Sequence, residues 1–472
     1  MSIKTNKMAS MPVRQLVISM AFPAMISMSI QAMYNIVDSI YVSRISEEAL
    51  TAVSLAFPLQ LLIVALMAGT GAGVTSLISR RLGEKNHQAA SYAASHGLMI
   101  NAVYSVSMMI LGLFFARRLV SLFTSDLYLI DLTTQYISII MIFSFGRLMS
   151  QAGMSILQGT GDMIRPMKAM LIGAISNIIL DPILIFGWFG LPALGIRGAA
   201  IATILGQMLS FSYIIIVLSR GKPEVHLIVK GFKPDKGILK DIYIVGLPGI
   251  IMQSLASVMI SVFNIILISF TPTAVAVLGI YFKLQSIIIM PMFGLAQGYM
   301  PIMGFNYGAK NKARMIQALK TTLMLGVAFM TLGTIILVGF PVPLLRLFDA
   351  SEEMITLGVP ALRRVAMGLP IAAAGITFSV TFQAIGKGYV SLIASFIRQM
   401  IVILPVAYLL SRIVGLSGVW FSFFIAEIVA IVIIGPWLIK ELRRTFKLWQ
   451  EQEAHQLMSH GEQTVKEVIQ ES

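Results

Sequence analysis

The sequence contains no cysteine, and this absence excludes disulfide bonds, thiolate metal sites and cysteine nucleophiles. Its five histidines lie in or near predicted loops and in the C-terminal segment, and they form no cluster with the spacing of metal ligands. The sequence also lacks a glycine-rich phosphate-binding loop that ends in Lys-Ser or Lys-Thr. We therefore expect a protein that is not an enzyme and that needs no cofactor.

Charged residues are also scarce, at 12% of the 472 residues, whereas 57% of the residues are hydrophobic. A soluble domain is nearer half apolar and roughly a quarter charged. This chain therefore has too little polar surface to cover a water-soluble globule, and its apolar surface must face lipid. The net charge of +14 resides mostly in short segments between apolar runs, which favours a membrane protein over a nucleic-acid-binding protein.

Apolar runs of about 20 residues or more recur along the chain, and each is long enough to cross a hydrocarbon core as a helix. We predict twelve such helices, numbered 1 to 12 from the N-terminus. Their predicted ranges are 15–42, 50–79, 92–115, 129–151, 166–188, 194–218, 241–270, 274–305, 317–340, 354–382, 391–412 and 416–439. The predicted fold is an all-α membrane protein embedded in the lipid bilayer.

Lysine and arginine are distributed unequally between the two alternating sets of loops. The richer set, to which both termini belong, contains Arg80, Arg81, Lys85, Arg165, Lys168, Arg220, Lys222, Lys230, Lys233, Lys236, Lys240, Lys310, Lys312, Arg314 and Lys387. The poorer set contains Arg44, Arg117, Arg118, Arg197, Arg346 and Arg412. Because positively charged loops stay in the cytoplasm, we expect both termini to be cytoplasmic.

The chain repeats itself at a shift of 225 residues, at which Pro23 corresponds to Pro248. Further identities at this shift pair Phe57, Leu59, Gln60, Gly69, Gly73, Gly83, Lys85, Asn86, Gln158 and Gly161 with Phe282, Leu284, Gln285, Gly294, Gly298, Gly308, Lys310, Asn311, Gln383 and Gly386. The repeat predicts two six-helix lobes related by a pseudo-two-fold axis along the membrane normal, with a binding site between them near the midplane.

This repeat also predicts the domain organisation. The N-lobe comprises residues 1–218 and the C-lobe comprises residues 241–440. A basic inter-lobe loop, 219–240, joins them on the cytoplasmic side, and a polar cytoplasmic tail, 441–472, follows the C-lobe.

Acidic side chains inside predicted helices are informative, because a carboxylate at the bilayer centre costs at least about 2.5–3.5 kcal/mol. Gln31, Asn35 and Asp38 in helix 1 have i, i+4, i+7 spacing, so they share one helix face. Asn177 and Asp181 likewise share a face of helix 5. Both acidic strips belong to the N-lobe, which makes that lobe the candidate for an ion site.

Two interpretations of these acids are open. A carboxyl group removed from water favours its neutral form and can carry a proton, and two carboxylates with amide and hydroxyl oxygens can equally hold a sodium ion. Alternatively, the acids lie near helix ends or pair with a buried base, since Asp181 precedes Pro182 and Asp-Pro can mark a helix terminus. At the shift of 225, Asp38 corresponds to Phe263 and Asp181 to Val406, so the acids are not part of the shared scaffold.

The sequence leaves two alternative roles open for each of several other intramembrane residues. Glu427 in helix 12 is either a second proton carrier or a partner for Arg398. Lys283 in helix 8 and Arg147 in helix 4 either line a central cavity or extend to the membrane surface. Pro23 either bends helix 1 during function or produces a static kink.

Methionine is abundant, with 31 residues. Flexible and polarizable side chains suit surfaces that accept ligands of many shapes. Six methionines fall where they could line a cavity, namely Met25, Met28, Met33, Met67, Met154 and Met170. Contact with lipid and packing between helices are the alternative roles.

Four stretches of the chain resemble the multidrug and toxic compound extrusion (MATE) transporters. They are Asn-Ile-Val-Asp-Ser-Ile-Tyr-Val-Ser at 35–43, the glycine run at 69–73 that leads to Ser-Arg-Arg-Leu-Gly at 79–83, Leu-Gln-Gly-Thr-Gly-Asp at 157–162, and Asn-Ile-Ile-Leu-Asp-Pro-Ile-Leu-Ile-Phe-Gly at 177–187. The acids of helices 1 and 5 look like the DinF-type branch, whereas the helix 5 motif and Glu427 look like MepA-type members. The resemblance covers all twelve helices and implies a two-lobe fold with alternating access driven by sodium or protons.

The resemblance also implies roles for individual residues. The ion-coupling residues, which could hold H⁺ or Na⁺, would be Asp38, Asn177, Asp181 and Thr203. The substrate cavity would be lined by Gln31, Tyr34, Asn35, Tyr136, Met154 and Met170. Pro23 would be the bending point of helix 1, and Glu427 and Lys283 would be secondary candidates. No acids in helices 7 and 8 match the NorM-type acids of the C-lobe.

We therefore expect a secondary active multidrug efflux antiporter in the cytoplasmic membrane of a bacterium or archaeon. It would export drugs and organic cations in exchange for H⁺ or Na⁺, as a monomer and without a nucleic-acid partner. A lipid-linked precursor flippase of the same superfamily is the alternative, and such a protein would be expected to have a large cationic central cavity. A channel or sensory receptor is disfavoured, because the sequence contains no pore-type filter sequence and no soluble sensor domain.

Overall fold

The computed structural model describes residues 6–220, 224–228 and 230–471, with side chains described as far as residue 455. Every regular element within these ranges is a helix. Lys222, counted above with the basic loops, and Ser472, the last residue of the predicted tail, lie outside the described residues.

The described residues contain ten helices that are long and apolar enough to cross a membrane, and two bent helix pairs bring the number to twelve. Helices 1 to 6 are Val13–Ser43, Glu47–Gly83, His87–Phe114, the pair Leu127–Ile142 and Phe145–Gly159, Ile164–Phe186, and Ile196–Arg220. Helices 7 to 12 are Lys236–Ile268, Pro272–Gly308, Lys312–Gly339, the pair Glu352–Ala366 and Leu369–Ala384, Gly388–Ile413, and Leu416–Val419 with Phe421–Glu471. The predicted all-α fold of twelve membrane helices is confirmed.

Helices 4 and 10 differ from the straight runs that the sequence predicted, because they are bent by 46° and 44°. In helix 10 the bend follows from Pro370, whose ring would collide with the carbonyl of Ala366 in a continuous helix. Helix 4 has no proline at its break, which lies at Phe143 and Ser144. When the position of the bend in helix 4 is shifted by 225 residues, it nevertheless falls within one residue of the bend in helix 10.

The sequence predicted that helix 12 ends near residue 439, and this prediction is wrong. The helix continues to Glu471, so the polar segment that follows the membrane is helical. The segment after Pro436 contains no further proline as far as Glu471 and is rich in Glu, Gln, Lys and Leu, which favour helix. The end of the apolar run therefore marks the end of the membrane span and not the end of the helix.

The two lobes contact each other mainly where helix 1 packs on helix 8 and helix 2 packs on helix 7. A methyl group at Gly83, the last residue of helix 2, would collide with the carbonyl oxygen of Phe305. The equivalent methyl group at Gly308, the last residue of helix 8, would collide with the carbonyl oxygen of Arg80. These two contacts are copies of each other at the shift of 225, so the sequence repeat is also a repeat of the inter-lobe interface.

We call the side of the molecule where helices 2 and 8 end the basic side. Polar contacts between the lobes add to the glycine contacts there. Arg81 Nη2 donates to Asp241 Oδ2 at 3.1 Å, and Ser76 Oγ donates to the carbonyl oxygen of Gln383 at 2.7 Å. Arg314 Nη2 donates to the carbonyl oxygen of Met8 at 2.9 Å. The basic side is therefore closed by direct contact between the lobes.

Candidate ion-coupling and substrate site

A cavity of about 220 Å³ lies inside the N-lobe, bounded by helices 1, 2, 4, 5 and 6. Gln297 of helix 8 also contributes to its wall, so the other lobe closes one part of it. Nine of the ten predicted ion-coupling and substrate-cavity residues line it, namely Gln31, Tyr34, Asn35, Asp38, Tyr136, Met154, Met170, Asn177 and Thr203. We call this space the N-lobe cavity.

Asp38 contributes a carboxylate to the wall of the N-lobe cavity from an uninterrupted stretch of helix 1. Its Oδ1 atom is buried and has no hydrogen-bond partner among the described residues. No lysine, arginine or histidine of the described part of the chain forms an ion pair with it. A buried carboxylate oxygen without a partner is costly, and binding of a proton or a cation would remove that cost.

Asp181 is fully buried beside the cavity, and Asn177 and Thr203 connect it to helix 6. In the amide orientation that satisfies both neighbours, Asn177 donates its N–H to Asp181 Oδ2 at 2.9 Å. The Asn177 side-chain oxygen then accepts from the Thr203 hydroxyl at 3.2 Å. Because each group of this chain depends on the next, Asn177 fixes the position of the Asp181 carboxylate and Thr203 fixes Asn177.

The Asp-Pro dipeptide does not end helix 5, which continues through Pro182 to Phe186. The carboxylate of Asp181 therefore belongs to the interior of a membrane helix. Pro182 has no N–H, so the carbonyl of Ile178 loses its usual helical partner. This weakened turn lies next to the Asn177–Asp181 pair.

The N-lobe cavity also contains one base, because Arg147 of helix 4 lines it. Arg147 forms no ion pair with an acid among the described residues. Asp38 lies in the same wall, and Asp181 is buried beside the cavity and hydrogen-bonded to the wall residue Asn177. Two carboxylates against one guanidinium leave the region one formal negative charge, which favours a cation as ligand.

Apolar and aromatic groups complete the wall. Tyr136 is buried, and its hydroxyl accepts a hydrogen bond from Gln60 Nε2 at 3.2 Å. Four of the six candidate methionines line the cavity, namely Met28, Met67, Met154 and Met170. Met33 points away from it, with 65% of its surface exposed. The wall thus combines adaptable apolar side chains with a few fixed polar groups, as small-molecule sites commonly do.

Pro23 is buried inside helix 1, on the basic-side half of that helix. The helix is continuous across it, and the Ser27 hydroxyl donates to the Pro23 carbonyl oxygen at 2.9 Å. Its predicted role as a bending point stays a prediction.

Sequence reasoning missed the glutamines of the cavity wall, which include Gln60 and Gln158. A signal for both was present, since they coincide with Gln285 and Gln383 in the repeat. The structure places Gln285 and Gln383 in the wall of a separate cavity in the C-lobe. Glutamines retained in both halves were therefore markers of cavity walls.

The secondary candidates lie in the C-lobe. Glu427 Oε1 accepts from Arg398 Nη1 at 2.6 Å. Lys283, which from sequence could either line a cavity or extend to the membrane surface, lines neither of these two cavities. Its ammonium lies 5.8 Å from the ring centroid of Phe348. The long aliphatic part of a lysine side chain allows the charge to lie at a distance from the lobe interior.

The oxygen donors of the N-lobe site suit a hard monovalent cation. Asp38, Asp181, Asn177 and Thr203 supply carboxylate, amide and hydroxyl oxygens, the groups that hard cations prefer. The described residues contain no group of three or more His, Cys, Asp or Glu side chains arranged as a metal site. A sodium ion here would therefore rely on neutral oxygens beside the two acids.

The sequence profile of the MatE family matches the chain twice, at residues 23–183 and 248–409. The two matches begin 225 residues apart, at Pro23 and Pro248, which agrees with the internal repeat. The chain is 28% identical over 411 residues to the multidrug export protein MepA of Staphylococcus haemolyticus, covering 87% of this chain and 89% of that protein. It is also 28% identical over 416 residues to a FAD transporter of Shewanella oneidensis, covering 87% and 90%.

Solved structures show the same relationship. A multidrug resistance transporter of the MATE family in an outward-facing conformation superposes with a TM-score of 0.89 at 29% identity, covering 94% of this chain and 99% of that chain. A transporter of the MOP superfamily from Pyrococcus furiosus gives a TM-score of 0.88 at 29% identity, covering 94% and 98%. The chain therefore belongs to the MatE family of multidrug efflux transporters, which are transporters and not enzymes.

Proposed function

We propose that this protein is an antiporter that exports amphipathic and cationic small molecules in exchange for an inward-moving H⁺ or Na⁺. The observation that carries the proposal is the unpartnered Asp38 carboxylate in the wall of the N-lobe cavity. Because Asp38 and Asp181 outnumber the one base, Arg147, a proton, a sodium ion or an organic cation can each stabilise the site.

The coupling follows from competition for these two acids. Ion binding neutralises buried negative charge and favours one arrangement of helix 1, whereas the substrate favours the other. A ligand shifts a conformational equilibrium only through its different affinity for the two states. A cationic substrate and the coupling ion that use the same carboxylates therefore drive each other across the membrane.

The distribution of charge supports an orientation. The closed side of the structure carries Arg80, Arg81, Lys310 and Lys312 at the ends of helices 2, 8 and 9. Positively charged loops remain in the cytoplasm, so we propose that this side faces the cytoplasm of a bacterial or archaeal cell. The structure then corresponds to a state that is closed toward the cytoplasm, in line with its similarity to an outward-facing relative.

Similarity alone does not identify the transported substrate, because one relative is named as a multidrug exporter and another as a FAD transporter. The charge of the N-lobe cavity favours cations. The flippase alternative would be expected to have a large cationic cavity, and two carboxylates beside one guanidinium do not support it. We therefore place export of organic cations first.

The test uses purified protein in liposomes loaded with ethidium, with a sodium gradient or a proton gradient imposed separately. We expect one gradient to drive ethidium transport by the wild type and neither gradient to drive it in Asp38→Asn. Asp131→Asn is the matched control, since Asp131 pairs with Arg117 on the exposed surface. If neither gradient moves ethidium or several other cationic dyes with the wild type, the proposal is wrong.

A further inference from the structure

The C-lobe contains a second and larger cavity, of about 380 Å³, bounded by helices 7, 8, 10, 11 and 12. It shares no wall residue with the N-lobe cavity. Aromatic rings from Tyr281, Phe282, Phe293 and Phe423 line it. Its volume falls within the range of about 300–1,000 Å³ that small-molecule sites occupy, so it can hold a multi-ring compound.

The charges of this C-lobe cavity are a single ion pair, Arg398 with Glu427. Only Nη1 of the guanidinium has a partner among the described residues, and a guanidinium carries five N–H donors. Glu427 Oε2 has no hydrogen-bond partner in the same residues. Arg398 retains 32% exposure of its side chain and Glu427 13%, so both members remain accessible from the cavity while the pair is neutral.

A buried amide adds a third recognition group. Gln399 is 4% exposed and lines the cavity, and its Oε1 atom has no hydrogen-bond partner among the described residues. Arg398 and Gln399 lie in a π-helical segment, Ile397–Ile403, which ends two residues before Pro405. The ring of Pro405 opposes the carbonyl of Ile401, and widened turns of this kind often occur at functional sites.

The repeat shows that these groups are additions to the scaffold. Arg398 corresponds to Gly173 and Gln399 to Ala174, two small residues in the wall of the N-lobe cavity. A merely structural ion pair would not explain the unpartnered Gln399 oxygen or the free donors of Arg398. The arrangement fits a ligand that brings its own acid and its own base.

We propose that the C-lobe cavity binds zwitterionic aromatic compounds, with the ligand carboxylate on Arg398, the ligand cation on Glu427 and the ring system against the aromatic wall. A simple cation or anion would leave a net charge within the membrane, whereas a zwitterion preserves the zero sum of the Arg398–Glu427 pair. An N–H or O–H of the ligand can donate to Gln399 Oε1.

The test compares two fluorescent dyes that share one ring system. Rhodamine 110 carries a carboxylate and a delocalised cation, and rhodamine 123 is its methyl ester and carries the cation alone. Fluorescence anisotropy with purified protein in detergent measures binding of each dye, with empty micelles as the blank. The proteins carry Asp38→Asn, which weakens cation binding in the N-lobe cavity and isolates the C-lobe.

The informative variant is the double substitution Arg398→Gln with Glu427→Gln, which removes both charges together and leaves no unpaired charge to disturb folding. We expect it to bind rhodamine 110 at least about tenfold more weakly, which corresponds to about 1.4 kcal/mol, because both charged contacts to the dye are lost. Rhodamine 123 binding should be unchanged. Arg364→Gln is the matched control, because Arg364 contacts Ser417 outside the cavity.

Glu427→Gln alone sharpens the test. It should weaken rhodamine 110 binding and strengthen binding of the anionic dye fluorescein, because Arg398 then has no competing carboxylate. If the double variant binds rhodamine 110 as well as the parent protein, the pair is only structural and the inference is overturned. The same holds if Asp38→Asn abolishes rhodamine 110 binding on its own, since the dye would then occupy the N-lobe cavity. Neither result would affect the antiport proposal, which rests on transport through the N-lobe.

Discussion

The two lobes place a cavity at equivalent positions and give it different electrostatic character. Gln60 and Gln158 line the N-lobe cavity, and their counterparts Gln285 and Gln383 line the C-lobe cavity. Asp38 in the wall of the N-lobe cavity and Asp181 buried beside it form no ion pair with a described residue, whereas the acid of the C-lobe cavity is held by Arg398. The shared backbone therefore sets where a cavity forms, and a few charged positions decide what it can bind.

The largest expected effect separates the roles of the two cavities in cation transport. Asp38→Asn should lower ion-driven ethidium transport by about thirtyfold or more, since loss of a buried charge contact costs about 2–5 kcal/mol. The double variant Arg398→Gln with Glu427→Gln should keep it within about twofold, because the C-lobe pair is already neutral. Transport assays in liposomes measure both. Equal losses in the two variants would contradict the division between the lobes.

The two lobes share the glycine contact at the basic side, and weakening it should have the next largest effect. Gly83→Ala should keep the lobes apart, because its methyl group would collide with the carbonyl oxygen of Phe305. Overpacking costs typically about 1–3 kcal/mol, enough to lower the closed population by about tenfold. Gly308→Ala should have the same effect, since it makes the equivalent contact with Arg80.

The cysteine-free sequence makes this measurable by spin labels at His87→Cys and Lys312→Cys, two equivalent exposed positions that begin helices 3 and 9. Double electron–electron resonance should show longer distances between the two spin labels in both glycine variants. Gly339→Ala is the control, because it also ends a helix but has no atom within 4 Å of the added carbon. An unchanged distance distribution in Gly83→Ala would show that the contact does not hold the lobes together.

Much of this arrangement could be predicted from sequence because its causes are local or periodic. The length of each apolar run predicts a membrane helix, and the shift of 225 residues predicts two copies of one lobe. The spacing of Gln31, Asn35 and Asp38 predicts a shared helix face, and all three line the N-lobe cavity. Asp38 and Asp181 also stood out because carboxylates are rare in membrane helices.

Other features depend on tertiary contacts that the sequence does not display. The bend of helix 4 has no proline to signal it, and Gln297 reaches the N-lobe cavity from the opposite lobe. Lys283 and Arg147 had the same interpretation from sequence, yet only Arg147 lines a cavity. The difference lies in which helix face packs inward, and helices that are apolar on all sides do not reveal that face.

A smaller effect concerns the hydrogen-bonded chain that exists only in the N-lobe. Thr203→Val should lower ion-driven transport by about three- to tenfold, because it removes one of the two hydrogen bonds that the Asn177 side-chain oxygen accepts from residue 203, and such a bond contributes about 0.5–1.5 kcal/mol. Thr203→Ser should restore the wild-type rate, since the hydroxyl remains. The ion-concentration dependence of transport measures the effect. If the valine variant keeps its apparent ion affinity, Thr203 does not support the ion site.

The smallest expected effect tests whether net charge alone sets the preference of the N-lobe cavity for cations. Arg147 is the base of that cavity, and it repels a bound organic cation. Arg147→Gln should therefore strengthen ethidium binding a few-fold, whereas Arg147→Lys should leave it unchanged. Two like charges about 4 Å apart repel by about 1 kcal/mol when water screens them, which corresponds to a few-fold change in affinity. Fluorescence titration of purified protein measures the affinity, and melting curves verify that each variant is folded. Weaker ethidium binding by folded Arg147→Gln would mean that the guanidinium supports the shape of the cavity, and the contrast between the lobes would then depend on geometry as well as on charge.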